Sequence, residues 1–220
     1  MRLGFFHGGS MIEADWYFDF VSPFAYFGSL QIESLATQVR LNFRPILFAG
    51  LLNHWGQKGP AEIPDKRTWT YRWCTWWAQK NAIPFRMPAA HPFNPIPYLR
   101  LALAAGCTPQ AVHAIFDALW TTGADPGDPN RILELAQQLD VDPELPGTQT
   151  IKDALRRQTD QAIARGVFGV PTLYINGQSF WGADALEFVR DYLAAPGLLE
   201  TAEMLRVSDL PVGAARKPGR

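Results

Sequence analysis

The chain is 220 residues long and 47% hydrophobic, ample for one domain with a sizeable core or for a small domain carrying an insertion. A formal net charge of -1 removes any general electrostatic reason to bind nucleic acid or an anionic membrane, and no apolar run approaches the roughly 20 residues that span a bilayer. Cys74 and Cys107 are the only cysteines and form no Cys-x-x-Cys pair, which argues against a disulfide framework and for a reducing, cytoplasmic setting.

At the N-terminus the apolar Leu3–Phe6 patch meets His7-Gly8-Gly9-Ser10 too soon to be a signal-peptide core; Met11 is a candidate start, and residues 1–11 are treated as an extension. Trp16–Val21 is a short aromatic-rich run, expected to be a buried strand. Ser22-Pro23 follows, and a helical pattern runs through Phe27, Leu30 and Leu35. Serine suits the N-cap, and proline suits the first helical position because the amide it lacks would be unpaired there. Leu41–Phe48 alternates with period two through Pro45 and reads as a second strand, so strand–helix–strand implies a parallel pair with a right-handed crossover.

From Pro64 to Arg165 the chain reads as helices punctuated by proline and glycine. Thr68–Lys80 places Trp69, Trp73, Trp76 and Trp77 on one helix face. Those indoles are expected to pack the helical segment against the rest of the domain, the alternative being that they line an aromatic pocket. Further helices are expected over Tyr98–Ala105, Pro109–Thr121, Asn130–Leu139 and Thr150–Ala164. Thr172–Ile175, Asn176-Gly177 and Gln178–Phe180 read as a hairpin with a type I′ turn, and a last helix covers Asp184–Ala194. The tail after Gly197, with its basic cluster Arg216, Lys217 and Arg220, is expected to be a loosely docked, solvated extension. This order is that of a thioredoxin-like α/β domain, residues 12–62 and 148–196, with an inserted all-helical subdomain, residues 63–147; 197–220 form the second extension.

Three features can carry chemistry. Ser22 stands at a helix N-terminus, where a thioredoxin-like fold would place a reactive thiolate, with Ala25 in place of the partner sulfur. Dithiol exchange needs two sulfurs and is excluded there. The serine either only caps its helix or donates a hydrogen bond to a thiolate brought by a ligand. Gly166–Thr172 runs from a helix into a strand through Val170-Pro171. It is either a plain turn or a cis-proline turn whose Val170 amide and carbonyl face outward and pair with an extended peptide. Asp184, in Gly182-Ala183-Asp184-Ala185, either caps the last helix or offers its carboxylate to a ligand ammonium group. The four histidines (His7, His54, His91, His113) have no zinc-like spacing, and Ser22 lacks a Gly-x-Ser-x-Gly context, so neither a metal site nor a serine triad is expected.

Five stretches stand in order between Trp16 and Leu193: Ser22-Pro23-Phe24-Ala25-Tyr26, Gly56–Arg67, His91-Pro92-Phe93-Asn94, Gly166–Thr172 and Trp181-Gly182-Ala183-Asp184. Together they resemble the 2-hydroxychromene-2-carboxylate isomerases, relatives of the kappa-class glutathione transferases within the DsbA-like thioredoxin superfamily. The resemblance implies a glutathione cofactor, an aromatic keto acid substrate and a homodimer. It places Ser22 at the glutathione sulfur, Val170 before a cis Pro171 on the cysteinyl backbone, Ala183 and Asp184 at the γ-glutamyl end, and Gln57 and Lys66 at the glycyl carboxylate and the rim. Lys66 is also the preferred cation for the substrate carboxylate, with Lys58 or Arg67 as alternatives. Phe24 departs from the tyrosine common in the family, so a hydroxyl role at that position is not carried over. His91 and Asn94 are carried as motif markers only. The implied reaction is cis–trans isomerisation by reversible thiolate addition; the rivals are a kappa-like conjugating transferase and a non-catalytic binding protein.

Overall fold

A computed structural model describes residues 11–214. The His7–Ser10 stretch and the cluster Arg216, Lys217 and Arg220 lie outside the described residues. Strands β1 (Ile12–Phe18), β2 (Val39–Pro45), β3 (Thr172–Ile175) and β4 (Gln178–Trp181) form one sheet in the order β2-β1-β3-β4. β1 and β2 are parallel, from Ile12 opposite Val39 to Phe18 opposite Pro45, and helix α1 (Pro23–Ile32) connects them. β3 runs antiparallel to β1 and to β4. The β3–β4 turn has Asn176 at φ 50° and Gly177 at φ 83°, the two left-handed residues that a type I′ hairpin requires.

β1 starts at Ile12, ahead of the expected Trp16, because its charged residues find partners across the sheet. Asn42 donates to Glu13 at 2.9 Å and Arg44 to Asp15 at 2.8 Å, while Arg165 donates to Asp15 and, at 2.6 Å, to the Tyr17 hydroxyl. β1 ends at Phe18, leaving Asp19–Val21 as the turn into α1. β2 ends at Pro45, not at Phe48, because Phe48 opens an unexpected helix, α2 (Phe48–Trp55). The acceptors at its start come from distant residues: the Asp19 carboxylate takes the Phe48 amide at 2.8 Å and the Thr159 hydroxyl takes the Leu47 amide at 3.0 Å. α2 stops at Gly56, whose φ of 61° suits a residue without Cβ.

Between α2 and β3 lie α3 (Pro64–Lys80), α4 (Ile96–Ala104), α5 (Pro109–Trp120), α6 (Pro129–Gln138) and α7 (Gln149–Ala164). Three helices begin with one device: Ser22, Thr108 and Asp128 each accept a first-turn amide, with proline next in the chain. After β4 comes α8 (Leu186–Ala194), which opens two residues later than the expected Asp184. In the tail, a 3₁₀ turn at Pro196–Glu200 sets Leu198 and Leu199 against the core, and the largely exposed α9 (Ala202–Ser208) follows.

β1 is buried on both faces. Trp16 and Phe18 stack at 4.7 Å and pack with Phe20, Phe27, Phe43 and Phe116, in one core that continues into α4, α5 and α6. Tyr17 points the other way, into a smaller cluster with Ile46, Leu51, Ala162, Val167 and Val170. Each large side chain fully removed from water stabilises the fold by about 1.5–3 kcal/mol. The turn after β1 is therefore held from both sides, and the Trp120 indole also donates to the Phe20 carbonyl at 3.0 Å. The result is a thioredoxin-like α/β domain with a helical block inserted between β2 and β3.

Candidate active site

The turn after β1 positions Ser22. Its amide donates to the Asp19 carbonyl at 3.1 Å, and its Oγ accepts the Ala25 amide at 3.2 Å. Ser22 is 7% exposed. Accepting from Ala25 uses a lone pair of Oγ and leaves its O–H to donate elsewhere. Capping and donation, read from the sequence as alternatives, are thus compatible in one side chain. Ala25, at the position of a partner sulfur, is fully buried.

Asp19 lies under this turn, wholly buried, and its two carboxylate oxygens accept the Val21 amide at 3.0 Å and the Phe48 amide at 2.8 Å. Burial pushes its carboxyl up to about 7, against the two amide hydrogen bonds that favour the charged form. From the other side His91 holds the Val21 carbonyl through Nε2 at 2.7 Å, while its Nδ1 meets the Tyr71 hydroxyl at 2.6 Å. A carbonyl only accepts, so Nε2 carries the proton, and the single Tyr71 O–H is shared between Nδ1 and the His91 carbonyl, 2.8 Å away. Burial lowers the His91 pKa, partly offset by the Val21 bond, and the ring is neutral at neutral pH. Asp19, His91 and Tyr71 are site-shaping residues that the sequence reading did not assign. Two signals were available: a single carboxylate inside the apolar run Trp16–Val21, and His91 within the motif His91-Pro92-Phe93-Asn94, carried as a marker without a role. Asn94 accepts the Ile96 amide at 3.1 Å at the start of α4.

The second element is the loop before β3. Val170-Pro171 is cis. Among the described residues no hydrogen bond reaches the Val170 amide or carbonyl. Pro171 rests on α1, where a Cβ on Gly28 would come within 3.3 Å of its Cγ, and its carbonyl accepts the Gly182 amide at 2.9 Å. The loop carrying Ala183 and Asp184 is thereby tied to the proline. Asp184 makes no capping bond to α8 and its carboxylate is exposed, so the capping role expected for it is not found. The chain enters α8 through Ala185, and the Asp184 carboxylate lies over Gly182. Trp181 lies against Gly169, where a Cβ would meet its Nε1 at 2.5 Å.

Gln57 follows α2, and its amide donates to the Leu52 carbonyl at 2.9 Å; Lys66 sits in the first turn of α3, and both side chains are exposed. No hydrogen bond or ion pair among the described residues joins either to Ser22, Val170, Pro171, Ala183 or Asp184. Two contacts relate their elements to the rest. The Trp55 indole donates to the Val167 carbonyl at 2.9 Å, and Trp73 of α3 packs on Phe24 with ring centroids 5.6 Å apart.

Only part of the tryptophan face packs as expected. Trp73 and Trp77 lean on the core, but Trp69 is 62% and Trp76 50% exposed. The straight face of α3 is wider than its contact with the domain. Both cysteines are poor nucleophiles, since burial pushes Cys74 and Cys107 each up to about 12. Among the described residues no cluster of His, Cys, Asp or Glu has metal-binding geometry, and no helix is long and apolar enough to cross a membrane.

Residues 13–194 match the family described as DSBA-like thioredoxin domain. The 2-hydroxychromene-2-carboxylate isomerase of Sphingobium xenophagum is 32% identical over 190 residues, covering 81% of this chain and 96% of that protein. Glutathione S-transferase kappa 2 of Caenorhabditis elegans is 28% identical over 204 residues, covering 82% and 91%. A solved 2-hydroxychromene-2-carboxylate isomerase shares the fold, with a TM-score of 0.72 at 23% identity over 88% of this chain and 99% of that one. The chain belongs to the 2-hydroxychromene-2-carboxylate isomerase family of the DsbA-like thioredoxin superfamily.

Proposed function

We propose that this protein binds glutathione at the start of α1 and catalyses the cis–trans isomerisation of 2-hydroxychromene-2-carboxylate to trans-o-hydroxybenzylidenepyruvate. The reaction is a step in aromatic-hydrocarbon breakdown, placed in the cytoplasm and in a homodimer. The observation that carries the reading is Ser22, a buried hydroxyl that accepts from its own helix and keeps its proton to donate. The free Val170 backbone groups and the uncapped Asp184 carboxylate fit a peptide with an ammonium end.

The hemiketal ring opens first, its ring C–O bond breaking to leave a phenol and a ketone, which gives the cis unsaturated keto acid; glutathione, when bound, would supply a thiolate that adds to the electrophilic carbon of that acid and leaves again, so that the double bond turns while it is single. Ser22 donates to that sulfur and favours its charged form. The α1 N-terminus adds about 0.3–1 kcal/mol in the same direction. Val170, ahead of Pro171, pairs with the cysteinyl backbone. Ala183 and Asp184 hold the γ-glutamyl end, with the carboxylate on the ammonium group. Gln57 and Lys66 meet the glycyl carboxylate and form the rim, where Lys66, or Lys58 or Arg67, also attracts the substrate carboxylate.

The test is an ultraviolet assay of chromene carboxylate isomerisation with and without glutathione, with the thiol measured before and after. The expected result is turnover only with glutathione, and full recovery of the thiol. Stoichiometric consumption would favour conjugation, the activity that the name of the C. elegans relative suggests. Absence of both turnover and glutathione binding would refute the proposal.

A further inference from the structure

The loop that presents Val170 is held at few points. Its start is tied to the end of α7, where the Val167 amide donates to the Ala162 carbonyl at 3.0 Å. Further on, the Thr172 hydroxyl donates to the Gly169 carbonyl at 2.8 Å, and the Pro171 carbonyl accepts the Gly182 amide. From the other half of the domain comes the Trp55 indole, donating to the Val167 carbonyl at 2.9 Å. Among the described residues, no other side chain from ahead of the helical block hydrogen-bonds to Gly166–Pro171.

Trp55 is the last residue of α2 and is 42% exposed. An indole left so far in water gains little from burial, and its N–H is its one directed contact. Its aromatic neighbour among the described residues is the exposed His54 ring, 4.8 Å away and nearly perpendicular. The opposite end of α2 is tied to the Ser22 turn. The Phe48 amide donates to one Asp19 oxygen at 2.8 Å, and the other oxygen takes the Val21 amide at 3.0 Å. Beside it the Leu47 amide donates to Thr159 of α7, and a Cβ on Gly50 would come within 3.0 Å of the Thr159 methyl. This seated helix of eight residues, about 12 Å long, therefore runs between the turn that presents the Ser22 hydroxyl and the loop that presents the Val170 backbone.

We infer that Trp55 is a positioning residue: through its indole N–H it fixes the Val170 loop at a set distance from Ser22, so that one peptide ligand reaches both. On the proposed reading that this ligand is glutathione, Trp55 governs the affinity for the peptide and not the state of its sulfur, because its bond is to the loop and not to the Ser22 turn.

Three measurements on the full chain test this. Calorimetry gives the glutathione affinity of the wild type, Trp55→Phe and Trp55→Ala. Ultraviolet titration at saturating glutathione gives the pKa of the bound thiol. Amide hydrogen exchange without ligand follows Val167, which is fully buried and bonded to α7. Phenylalanine keeps an aromatic ring and lacks the donor. Trp55→Phe is expected to weaken glutathione about tenfold, with Trp55→Ala little worse, at an unchanged bound-thiol pKa. Exchange at Val167 is expected to quicken about tenfold in Trp55→Phe. Wild-type affinity in Trp55→Phe overturns the inference, because the ring alone then suffices. A bound-thiol pKa that rises along with the affinity loss overturns it as well, since Trp55 then acts on the Ser22 turn, and so does unchanged exchange at Val167. Failure of the glutathione reading shows separately, as absent heat when the wild type is titrated with the tripeptide, and the exchange comparison then still decides whether Trp55 holds the loop.

Discussion

Removing the Ser22 hydroxyl separates its two tasks by magnitude. A hydrogen bond to a charged group contributes about 1.5–3 kcal/mol, and one pKa unit corresponds to about 1.4 kcal/mol, so donation to the glutathione sulfur lowers its pKa by about 1–2 units from the ordinary thiol value near 8.5. In Ser22→Ala the bound thiol should return toward that value, and the thiolate fraction at neutral pH should fall about tenfold, with kcat following. The lost bond to the Ala25 amide should cost about 1 kcal/mol of stability in Ser22→Ala but only a few tenths in Ser22→Gly. The two variants should therefore differ in urea denaturation and agree in thiolate pKa, while Ser22→Thr keeps both properties close to wild type. The assay is an ultraviolet titration of the thiolate of saturating glutathione on each variant. A bound pKa that does not move between wild type and Ser22→Ala, with unchanged turnover, refutes the reasoning.

Asp19 has a carboxyl raised by burial to about 7, so folding favours its protonated form; that contribution is complete below about pH 4 and is lost as pH rises through about 7. Asp19→Asn should therefore remove a stability loss between about pH 4 and pH 7 in urea denaturation, while costing about 1–3 kcal/mol because its amide nitrogen cannot accept one of the two backbone N–H groups. His91, with its pKa lowered by burial, has the opposite sign: the unfolded chain takes the proton first, and stability falls as pH drops below about 6.5. His91→Phe should flatten that acid limb and orphan the Val21 carbonyl, at a cost of about 1–3 kcal/mol. The buried Cys74 and the half-buried Cys107 should resist a neutral-pH thiol reagent in the native protein and react fully once it is unfolded; rapid native labelling would contradict their raised pKa. Gly169→Ala should force the Trp181 ring off the loop before β3 and weaken glutathione about tenfold in calorimetry, an effect absent if that loop does not touch the tripeptide.

What was legible in the sequence follows the range of the interactions involved. The α1 start could be read because cap, proline and first-turn amide are neighbours, and the β3–β4 hairpin because Asn176-Gly177 determines its own turn. Helix α2 could not, because its amides are met by Asp19 and Thr159, far away in the chain, while the alternation through Pro45 continued to suggest a strand. The first half of β1 was hidden in the same way, since Glu13 and Asp15 look unlike strand residues until Asn42, Arg44 and Arg165 stand beside them. At the site, Ser22 and Val170-Pro171 were marked by local motifs. The support beneath them was not, because the links from Asp19 to α2 and from His91 to Tyr71 exist only once three segments have met. Asp184 shows the converse, a residue that fits a cap by sequence and makes no capping bond because α8 begins beyond it.

The account depends on where an external sulfur comes to rest, and a crystal structure of the protein with glutathione measures that directly. It predicts the sulfur within about 3.5 Å of the Ser22 Oγ, at hydrogen-bonding range for a thiolate, and the cysteinyl amide and carbonyl paired with those of Val170. A tripeptide bound elsewhere, or one whose sulfur points away from the start of α1, would contradict it.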